Sequence, residues 1–191
     1  MKRVLFILLS VFFISANAVI ATERIGSVQA NFVQEKNMAI LARPLISTGK
    51  FLFQAPDSLR WEYFTPLHSV LLMNNGQIRK FVEKDGKLLE ERGMGLNAMQ
   101  VVMQEITGWL TGNITDTETF LAKQIDTKQI VLTPRDAALS KIISRIELKL
   151  LDQSGLMESV TIFEGENSFT QMLFSEAKLN EQISEMIFSQ P

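Results

Sequence analysis

Residue types that could carry out covalent chemistry are scarce in this sequence. It has a single histidine, His68, and no cysteine. A Ser-His-Asp relay would have to use His68, but no G-x-S-x-G turn is present to expose a nucleophilic serine. Just after Pro66, His68 is expected in a solvated connection between strands. The sequence therefore offers no candidate for nucleophilic catalysis.

Carboxylates are the remaining candidates for metal binding or acid–base chemistry. No D-x-[DN]-x-[DN]-G calcium loop is present, and pairs such as Glu90–Glu91 are expected to be solvated strand-edge charges. Two carboxylates that hydrolyse a glycoside are paired in space rather than in sequence, so a hydrolase remains an alternative. We expect no metal ion, no cofactor and no enzymatic activity.

Apolar and aromatic residues with a period of two form the most informative pattern. Successive side chains of a strand point to opposite faces of a sheet, so residues two apart share a face. Such a face can pack as a core or bind an apolar molecule without covalent chemistry. The nine methionines suit an adaptable apolar surface as well as a core. The candidate residues are Phe32, Phe51, Phe53, Leu59, Trp61 and Tyr63.

Short alternating segments separated by turn sequences predict the elements that position these side chains. Asn75-Gly76 and Asp85-Gly86 favour tight hairpin turns, because Asn, Asp and Gly tolerate positive φ. The pattern predicts a mainly β fold, with one antiparallel sheet curled into a barrel or half-barrel. The predicted strands are residues 30–36, 49–54, 59–64, 70–73, 78–84, 87–91, 120–125, 129–133, 142–151, 156–164, 169–174 and 186–189.

One segment, residues 95–111, has the period of an amphipathic helix instead. Its apolar side chains recur at intervals of three and four residues and therefore share one helical face. That face must pack on the concave side of the curled sheet, either as simple core or as a lid that admits an apolar guest. The residues are Met99, Val102, Met103, Ile106, Trp109 and Leu110.

The N-terminal segment has the three parts of a secretory signal peptide. Lys2 and Arg3 precede an apolar run over residues 4–14, and Ala16 and Ala18 fit the small-x-small cleavage rule. A transmembrane anchor is the alternative, but it needs roughly 20 apolar residues, and this run is too short. We predict cleavage after Ala18, with Ala21 as a later option, which leaves residues 19–191 as a single domain.

Composition narrows the classes of partner. The net charge is −2 and no basic run is present, which argues against binding nucleic acid or docking on anionic lipid. Without cysteine the chain cannot carry a lipid anchor at its cleavage site, so the mature protein is expected to be soluble. A core alone can stabilise a domain of this size without disulfides.

Several motifs in the first third of the chain resemble those of a known family. They are Phe32-Val33-Gln34, Gly49-Lys50-Phe51-Leu52-Phe53, Pro56, Arg60-Trp61-Glu62-Tyr63, Pro66 and Asn75-Gly76, followed later by Leu132-Thr133-Pro134. In this order and spacing they resemble the outer-membrane lipoprotein carrier family, the LolA-like proteins. The resemblance extends over most of the predicted mature chain.

The resemblance implies a fold and a function. The family fold is an unclosed antiparallel barrel with a helical lid over a hydrophobic cavity. Its members carry acylated lipoproteins through the periplasm, from an inner-membrane ABC exporter to an outer-membrane receptor. By this resemblance, the candidate aromatic residues are expected to face the cavity and the helix to form the lid of a monomeric carrier.

Two departures from the family pattern concern how the lid closes and which cargo is bound. Family members place an arginine before the proline that corresponds to Pro56, where this chain has Ala55. Arg60 is nearby, but alternation with Trp61 directs it to the opposite face. Residues 19–29 leave little room for the usual first helix, so the lid or the cargo is expected to differ. A glycolipid or polyene lipid is one alternative cargo, and a sensor that binds lipoproteins without transporting them is an alternative function.

Overall fold

The computed structural model describes residues 25–91, 105–109, 114, 116–151, 156–165 and 167–191. Within these residues the fold is mainly β, as the sequence predicts. The strands are β1 (Ser27–Asn37), β2 (Leu45–Gln54), β3 (Ser58–Thr65), β4 (Ser69–Asn74), β5 (Gln77–Lys84), β6 (Lys87–Glu91), β7 (Phe120–Gln124), β8 (Gln129–Pro134), β9 (Arg145–Leu150), β10 (Met157–Phe163) and β11 (Phe169–Leu179).

All eleven strands form one antiparallel sheet in the order β6-β5-β4-β3-β2-β1-β11-β10-β9-β8-β7. Two meanders, β1 to β6 and β7 to β11, are joined where the first strand pairs with the last. In that central pair Phe32 lies opposite Phe174. Strands β6 and β7 end the order without pairing with each other in the described part of the chain. The barrel is therefore unclosed.

Both meanders contribute to a single apolar core on the inner face of the sheet. Phe53 and Leu59 from the first meander are fully buried in the same cluster as Leu132 and Leu148 from the second. Strands so far apart in the sheet order share a core only if the sheet is curled. Within each strand, alternation separates this inner face from an outer one.

Among the described residues, two short α-helical segments accompany the sheet. Helix α1 is described over residues 105–109, within the predicted helix 95–111, and α2 is Ala137–Ser140. Asp136 caps α2, because its carboxylate accepts the backbone N–H groups of Ala138 and Leu139 at 2.8 and 2.9 Å. The chain then turns before β9 begins at Arg145. The predicted strand at 142–151 is therefore too long at its start.

The predicted last strand, residues 186–189, is wrong. The chain there forms a 3-10 helix, Glu185–Phe188, on the outer face of the sheet. The apolar ends of this segment, Ile183 and Phe188, pack against Leu52. Carbonyl groups that a strand would pair with a neighbouring strand instead accept hydrogen bonds from side chains such as Arg60.

The predicted signal peptide, residues 1–18, lies outside the described residues. In the part of the chain that is described, no helix combines the length and apolar character needed to cross a bilayer.

Candidate functional site

Aromatic side chains of β1, β2 and β3 form one continuous surface on the inner face. The ring centroid of Trp61 lies 5.4 Å from that of Phe51 and 5.8 Å from that of Phe32, both in edge-to-face contact. Tyr63 lies 5.1 Å from Phe32 and stacks on Trp61. Each such pair contributes about 0.5–1.5 kcal/mol beyond its buried area. The same face carries the other two candidate residues, the fully buried Phe53 and Leu59.

A small apolar cavity lies between this surface and the opposite meander. Its volume is about 30 Å³ and its wall is almost entirely apolar. Pockets that hold drug-sized ligands measure about 300–1,000 Å³. The cavity is therefore too small for such a ligand and has room for about one water molecule. Residues that line it include Val28, Ala30, Phe51, Trp61, Ile106, Trp109, Ile146, Val160, Ile162, Met172, Phe174 and Ala177.

Helix α1 covers one side of the cavity. Ile106 and Trp109 are buried and line it, and the Trp109 ring lies 6.4 Å from that of Phe120 at the start of β7. Glu105 accepts a hydrogen bond from the Thr117 hydroxyl at 3.1 Å, which ties the helix to the segment that leads into β7. The other candidate lid residues, Met99, Val102, Met103 and Leu110, lie outside the described residues.

A wider cleft of about 360 Å³, whose mostly apolar wall also carries polar side chains, adjoins the cavity at the end of the sheet that carries the β1–β2 connection. The Lys36 ammonium contacts Glu164 at 2.9 Å, and the Thr170 hydroxyl donates to the same carboxylate at 3.2 Å. The Tyr63 hydroxyl donates to the Gln34 amide oxygen at 2.8 Å. Burial raises the pKa of Tyr63 to about 12, so it remains a neutral donor near pH 7.

Two buried indole N–H groups lack an acceptor among the described residues. They belong to Trp61, on the sheet, and Trp109, on α1, and both side chains line the apolar cavity. A buried donor without a partner costs about 1–3 kcal/mol, so native structures rarely keep one without a reason. Both nitrogen atoms are themselves buried, so each N–H group lies within the packed wall.

The histidine lies away from the cavity, on the outer face. Its two ring nitrogens lie 2.9 Å from a Glu62 oxygen and 3.0 Å from a Glu83 oxygen. The hydrogen bond to Glu62, strengthened by that to Glu83, raises the pKa of His68. Burial alone would raise the pKa of Glu62, but hydrogen bonds from Arg60 and His68 bring it below its ordinary value. This arrangement links charges on a surface and holds no nucleophile.

Metal ligation finds no support in the described part of the chain, where no three His, Cys, Asp or Glu side chains are grouped closely enough to hold an ion. Glu164 pairs with Lys36 beside the cleft.

The structure separates the candidate residues into those that line an open space and those that do not. Phe51 and Trp61 line the apolar cavity, and Trp61 and Tyr63 line the wider cleft. Phe32, Phe53 and Leu59 share the face and line neither space. Sequence reasoning missed the lining residues of the second meander, although Met172 and Phe174 alternate as clearly as Phe51 and Phe53 do. It also missed the polar side chains of the cleft.

The position that departs from the family pattern lies in the turn between β2 and β3. Ala55 is exposed in the β2–β3 turn, and its backbone N–H donates to the Gly26 carbonyl at 2.8 Å. Arg60 faces outward, as alternation predicts, and donates to the carbonyl groups of Ile187 and Gln190 at 3.1 and 2.7 Å. No arginine latch therefore extends from the β2–β3 turn to the described helix.

A curled, unclosed sheet around an apolar cavity agrees with the family comparison. Residues 23–190 match the family model described as outer membrane lipoprotein carrier protein LolA. The chain belongs to this family, as its motifs indicate. No curated protein sequence matches the chain.

Solved structures with a similar arrangement are distant in sequence. A DUF1329 family protein from Desulfovibrio piger is 12% identical, with a TM-score of 0.49 over 87% of this chain and 91% of that chain. A LolA superfamily protein from Nitrosomonas europaea is also 12% identical, with a TM-score of 0.41 over 86% of this chain and 90% of that one. LprF from Mycobacterium bovis is 10% identical, with a TM-score of 0.42 over 85% and 89%.

Proposed function

We propose that this protein is a periplasmic carrier that takes acyl chains of lipoproteins, or of another lipid, into its cavity and shuttles them from the inner to the outer membrane. The observation that carries the proposal is the apolar cavity between α1 and the curled sheet, whose wall is almost entirely apolar. Membership of the lipoprotein carrier family supports the same function. An inner-membrane ABC exporter and an outer-membrane receptor would be its partners.

The energetics of transport explain why a carrier needs such a cavity. Each CH₂ group buried from water contributes about 0.8 kcal/mol, so a chain of about 16 carbons represents roughly 12 kcal/mol. A cavity that covers most of this chain makes passage through water feasible. Release requires that the cavity bind the acyl chain no more tightly than the receptor does. The transfer therefore depends on relative affinities and requires no covalent step.

The closed cavity must expand to accept cargo. Its volume of about 30 Å³ is far below that of an acyl chain, whereas the adjoining cleft already offers about 360 Å³. Ile106 and Trp109 of α1 pack in the apolar core, and apolar contacts have no directional bonds to break. The hydrogen bond between Thr117 and Glu105 holds α1 to the segment that leads into β7. Movement of α1 away from the sheet would join the two spaces into one channel.

Lipid analysis of the native protein tests the proposal. The protein is purified from its own envelope fraction, and bound lipid is extracted and identified by mass spectrometry. Ile162 lines the cavity and is half-buried, so Ile162→Asp is expected to remove bound lipid by placing a charge in the apolar wall. The matched control is Leu173→Asp, on the outer face of β11, where the side chain is 48% exposed.

A transfer assay separates a carrier from a binding module. Inner-membrane vesicles release a fluorescent lipoprotein, and its arrival on outer-membrane vesicles is measured with and without the protein. A carrier increases the rate at which the lipoprotein arrives on the outer-membrane vesicles. Ile162→Asp is expected to abolish this increase, and Leu173→Asp is expected to retain it. A protein that binds lipid but does not accelerate arrival would be a sensor on the same fold, and the shuttle role would be rejected.

Export is tested separately. Edman sequencing of the protein from the periplasmic fraction is expected to begin at Val19, after cleavage behind Ala18. A protein that remains in the cytoplasm with Met1 intact would contradict the periplasmic assignment.

A further inference from the structure

One end of the half-barrel exposes apolar side chains on two neighbouring segments. Residues 39–46, in the β1–β2 connection and the start of β2, are all exposed, and so are residues 64–67, at the end of β3 and in the β3–β4 connection. Both segments lie at the end of the sheet that carries the wider cleft. We call them the exposed rim. Its large apolar side chains are Ile40, Leu41, Leu45, Ile46, Phe64 and Leu67.

The composition of the exposed rim is unusual for a solvated surface. Single exposed apolar residues are common on proteins, whereas contiguous apolar patches mark interaction sites. Residues 39–46 have the sequence Ala-Ile-Leu-Ala-Arg-Pro-Leu-Ile, in which Arg43 carries the only charge. Residues 64–67, Phe-Thr-Pro-Leu, carry none. The rim therefore has the character of a binding surface.

Hydrogen bonds hold the rim in a defined shape. The backbone N–H of Leu41 donates to the Met38 carbonyl at 2.9 Å, which closes a turn with Ile40 near its tip. The Ile40 side chain is 88% exposed there. The hydroxyl groups of Thr48 and Thr65 lie 2.8 Å apart and join the two segments of the rim. Because the rim is ordered before a partner binds, little conformational entropy is lost on binding.

The directions of the apolar side chains favour a lipid bilayer as the partner. A strand that docks on a protein presents one apolar face and leaves the other face polar. In the rim, the successive residues Leu45 and Ile46 point to opposite faces of β2, and both are apolar and exposed. Fluid hydrocarbon can surround such a segment on every side. A protein surface, or a second copy of this chain, covers only one side.

The charges near the rim also fit a bilayer surface. Arg43 is exposed, and a long arginine side chain can keep its guanidinium among lipid phosphates while its neighbours enter the hydrocarbon. Residues 38–48 and 63–69 contain no Asp or Glu, whose charges are costly to bring into a membrane. Because the whole chain has a net charge of −2, burial of apolar side chains, rather than attraction to anionic lipid, supplies the affinity.

We propose that the exposed rim docks on the surface of a lipid bilayer and inserts Ile40 and the neighbouring apolar side chains below the lipid head groups. This inference goes beyond the carrier function and does not depend on what the cavity holds. Only a few side chains enter the bilayer, so the association is peripheral and reversible. Docking in this orientation brings the wider cleft, which lies at the same end of the sheet, close to the bilayer.

Vesicle flotation tests the docking. Protein purified from the envelope fraction is mixed with protein-free phosphatidylcholine vesicles, and the fraction that floats in a density gradient is measured at low and high salt. Wild type is expected to float at both, because salt does not screen apolar contacts. Ile40→Asp is expected to lower the ratio of bound to free protein by about ten- to a hundredfold.

Ile125→Asp is the matched control for flotation. Ile125 is half exposed in the β7–β8 turn, at the opposite end of the sheet from the rim, and the same charge is introduced there. This variant is expected to float like wild type. Both isoleucines lie on the surface, so both variants are expected to unfold at the temperature of the wild type.

Tryptophan fluorescence measures insertion directly. Ile40→Trp places an indole at the tip of the rim, and phosphatidylcholine brominated on its acyl chains quenches an indole that reaches the hydrocarbon. The native Trp61 and Trp109 are buried and contribute equally to Ile40→Trp and to its control, Ile125→Trp. Additional quenching is expected in Ile40→Trp alone.

The outcomes separate a bilayer from other partners. If wild type does not float, or if Ile40→Asp and Ile125→Asp float equally, bilayer docking is overturned, and the carrier function is still judged by its own lipid analysis. If wild type floats only with vesicles that contain envelope proteins, the rim binds a protein and the proposal is overturned. A dimer in light scattering that Ile40→Asp converts into a monomer assigns the rim to a second copy of the chain, which also overturns it.

Discussion

The phenyl ring of Phe32 lies directly over Gly49 on the neighbouring strand. A Cβ atom built at position 49 would lie 2.5 Å from Cζ of Phe32 and would also overlap the backbone carbonyl of Glu62. The glycine thus leaves room for the ring that joins β1 to Trp61 and Tyr63. The G-x-F-x-F segment therefore combines two features: an aromatic face and a glycine that lets an adjacent ring cross the strand.

Gly49→Ala is expected to destabilise the protein by about 1–3 kcal/mol, because the new methyl group must displace a backbone carbonyl as well as a ring. Chemical denaturation of the wild type and the variant measures this change. Gly26→Ala is the matched control, since its Cβ atom would meet only Asn180 Oδ1, at 3.4 Å. Equal stability of the two variants would contradict the packing of Phe32 against Gly49.

Strand faces could be predicted from the sequence because they depend on local information. Alternation in β3 placed Trp61 inward and Arg60 outward, and both lie there. The turn at Asn75-Gly76 has φ of 50° and 72°, the conformation that these residue types favour. Such features depend on two to four neighbouring residues, so a single sequence is sufficient to find them.

Features formed by distant segments could not be predicted. The Lys36–Glu164 pair joins residues 128 positions apart, and only the pairing of β1 with β11 brings them together. The C-terminal segment reads as a strand because Ile187 and Phe188 are apolar, yet hydrogen bonds from Arg60 hold it as a 3-10 helix. At this segment, tertiary contacts override the strand preference of the local sequence.

Arg60 is expected to stabilise this C-terminal segment. Its side chain is only 12% exposed, and it donates to Ile187 and Gln190 while its Nε–H donates to Glu62 at 2.8 Å. Arg60→Ala is expected to reduce stability by about 1–3 kcal/mol, because the Glu62 carboxylate loses one of its two partners and the carbonyl groups of Ile187 and Gln190 lose their donor. Hydrogen exchange is expected to accelerate over residues 183–190.

Arg79→Ala is the control for this prediction. Arg79 is 43% exposed and contacts the Ser189 carbonyl at 3.4 Å, so its removal is expected to change stability by less than about 0.5 kcal/mol. Because both arginines lie on the outer face, lipid content is expected to be unchanged in both variants. Loss of lipid in Arg60→Ala with a protected C-terminal segment would contradict this separation of faces.

The contact between His68 and Glu62 is expected to make stability depend on pH. Because the folded pKa of His68 is raised, its contribution is complete below the ordinary value of 6.5 and is lost as pH rises through the folded pKa. Because the folded pKa of Glu62 is lowered, its contribution is present above 4.5 and is lost as pH falls through the folded pKa. The window of greatest stabilisation therefore lies between about pH 4.5 and 6.5.

His68→Gln is expected to be less stable than wild type in this window, with a difference that shrinks as pH rises above 6.5. The difference is expected to stay below about 1 kcal/mol, because the His68 side chain is about one-third exposed. Urea denaturation at a series of pH values measures it. Glu83→Gln, which removes the more exposed partner, is expected to have a smaller effect. A difference that grows toward alkaline pH would exclude the ion pair.

Tyr63 allows a direct spectroscopic measurement of burial beside the cleft, because it is the only tyrosine in the chain. Absorbance at the tyrosinate band during alkaline titration is expected to change near pH 12 in the folded protein, against an ordinary value of 10.0. Since the raised pKa favours the neutral folded form, stability is expected to fall as pH rises from about 10 toward 12.

Gln34→Leu removes the acceptor of the Tyr63 hydroxyl and tests the cause of the raised pKa. The high pKa of Tyr63 is expected to persist in this variant, because burial rather than the hydrogen bond produces it. A transition near pH 10 in the wild type would place Tyr63 in solvent and remove it from the wall of the cleft.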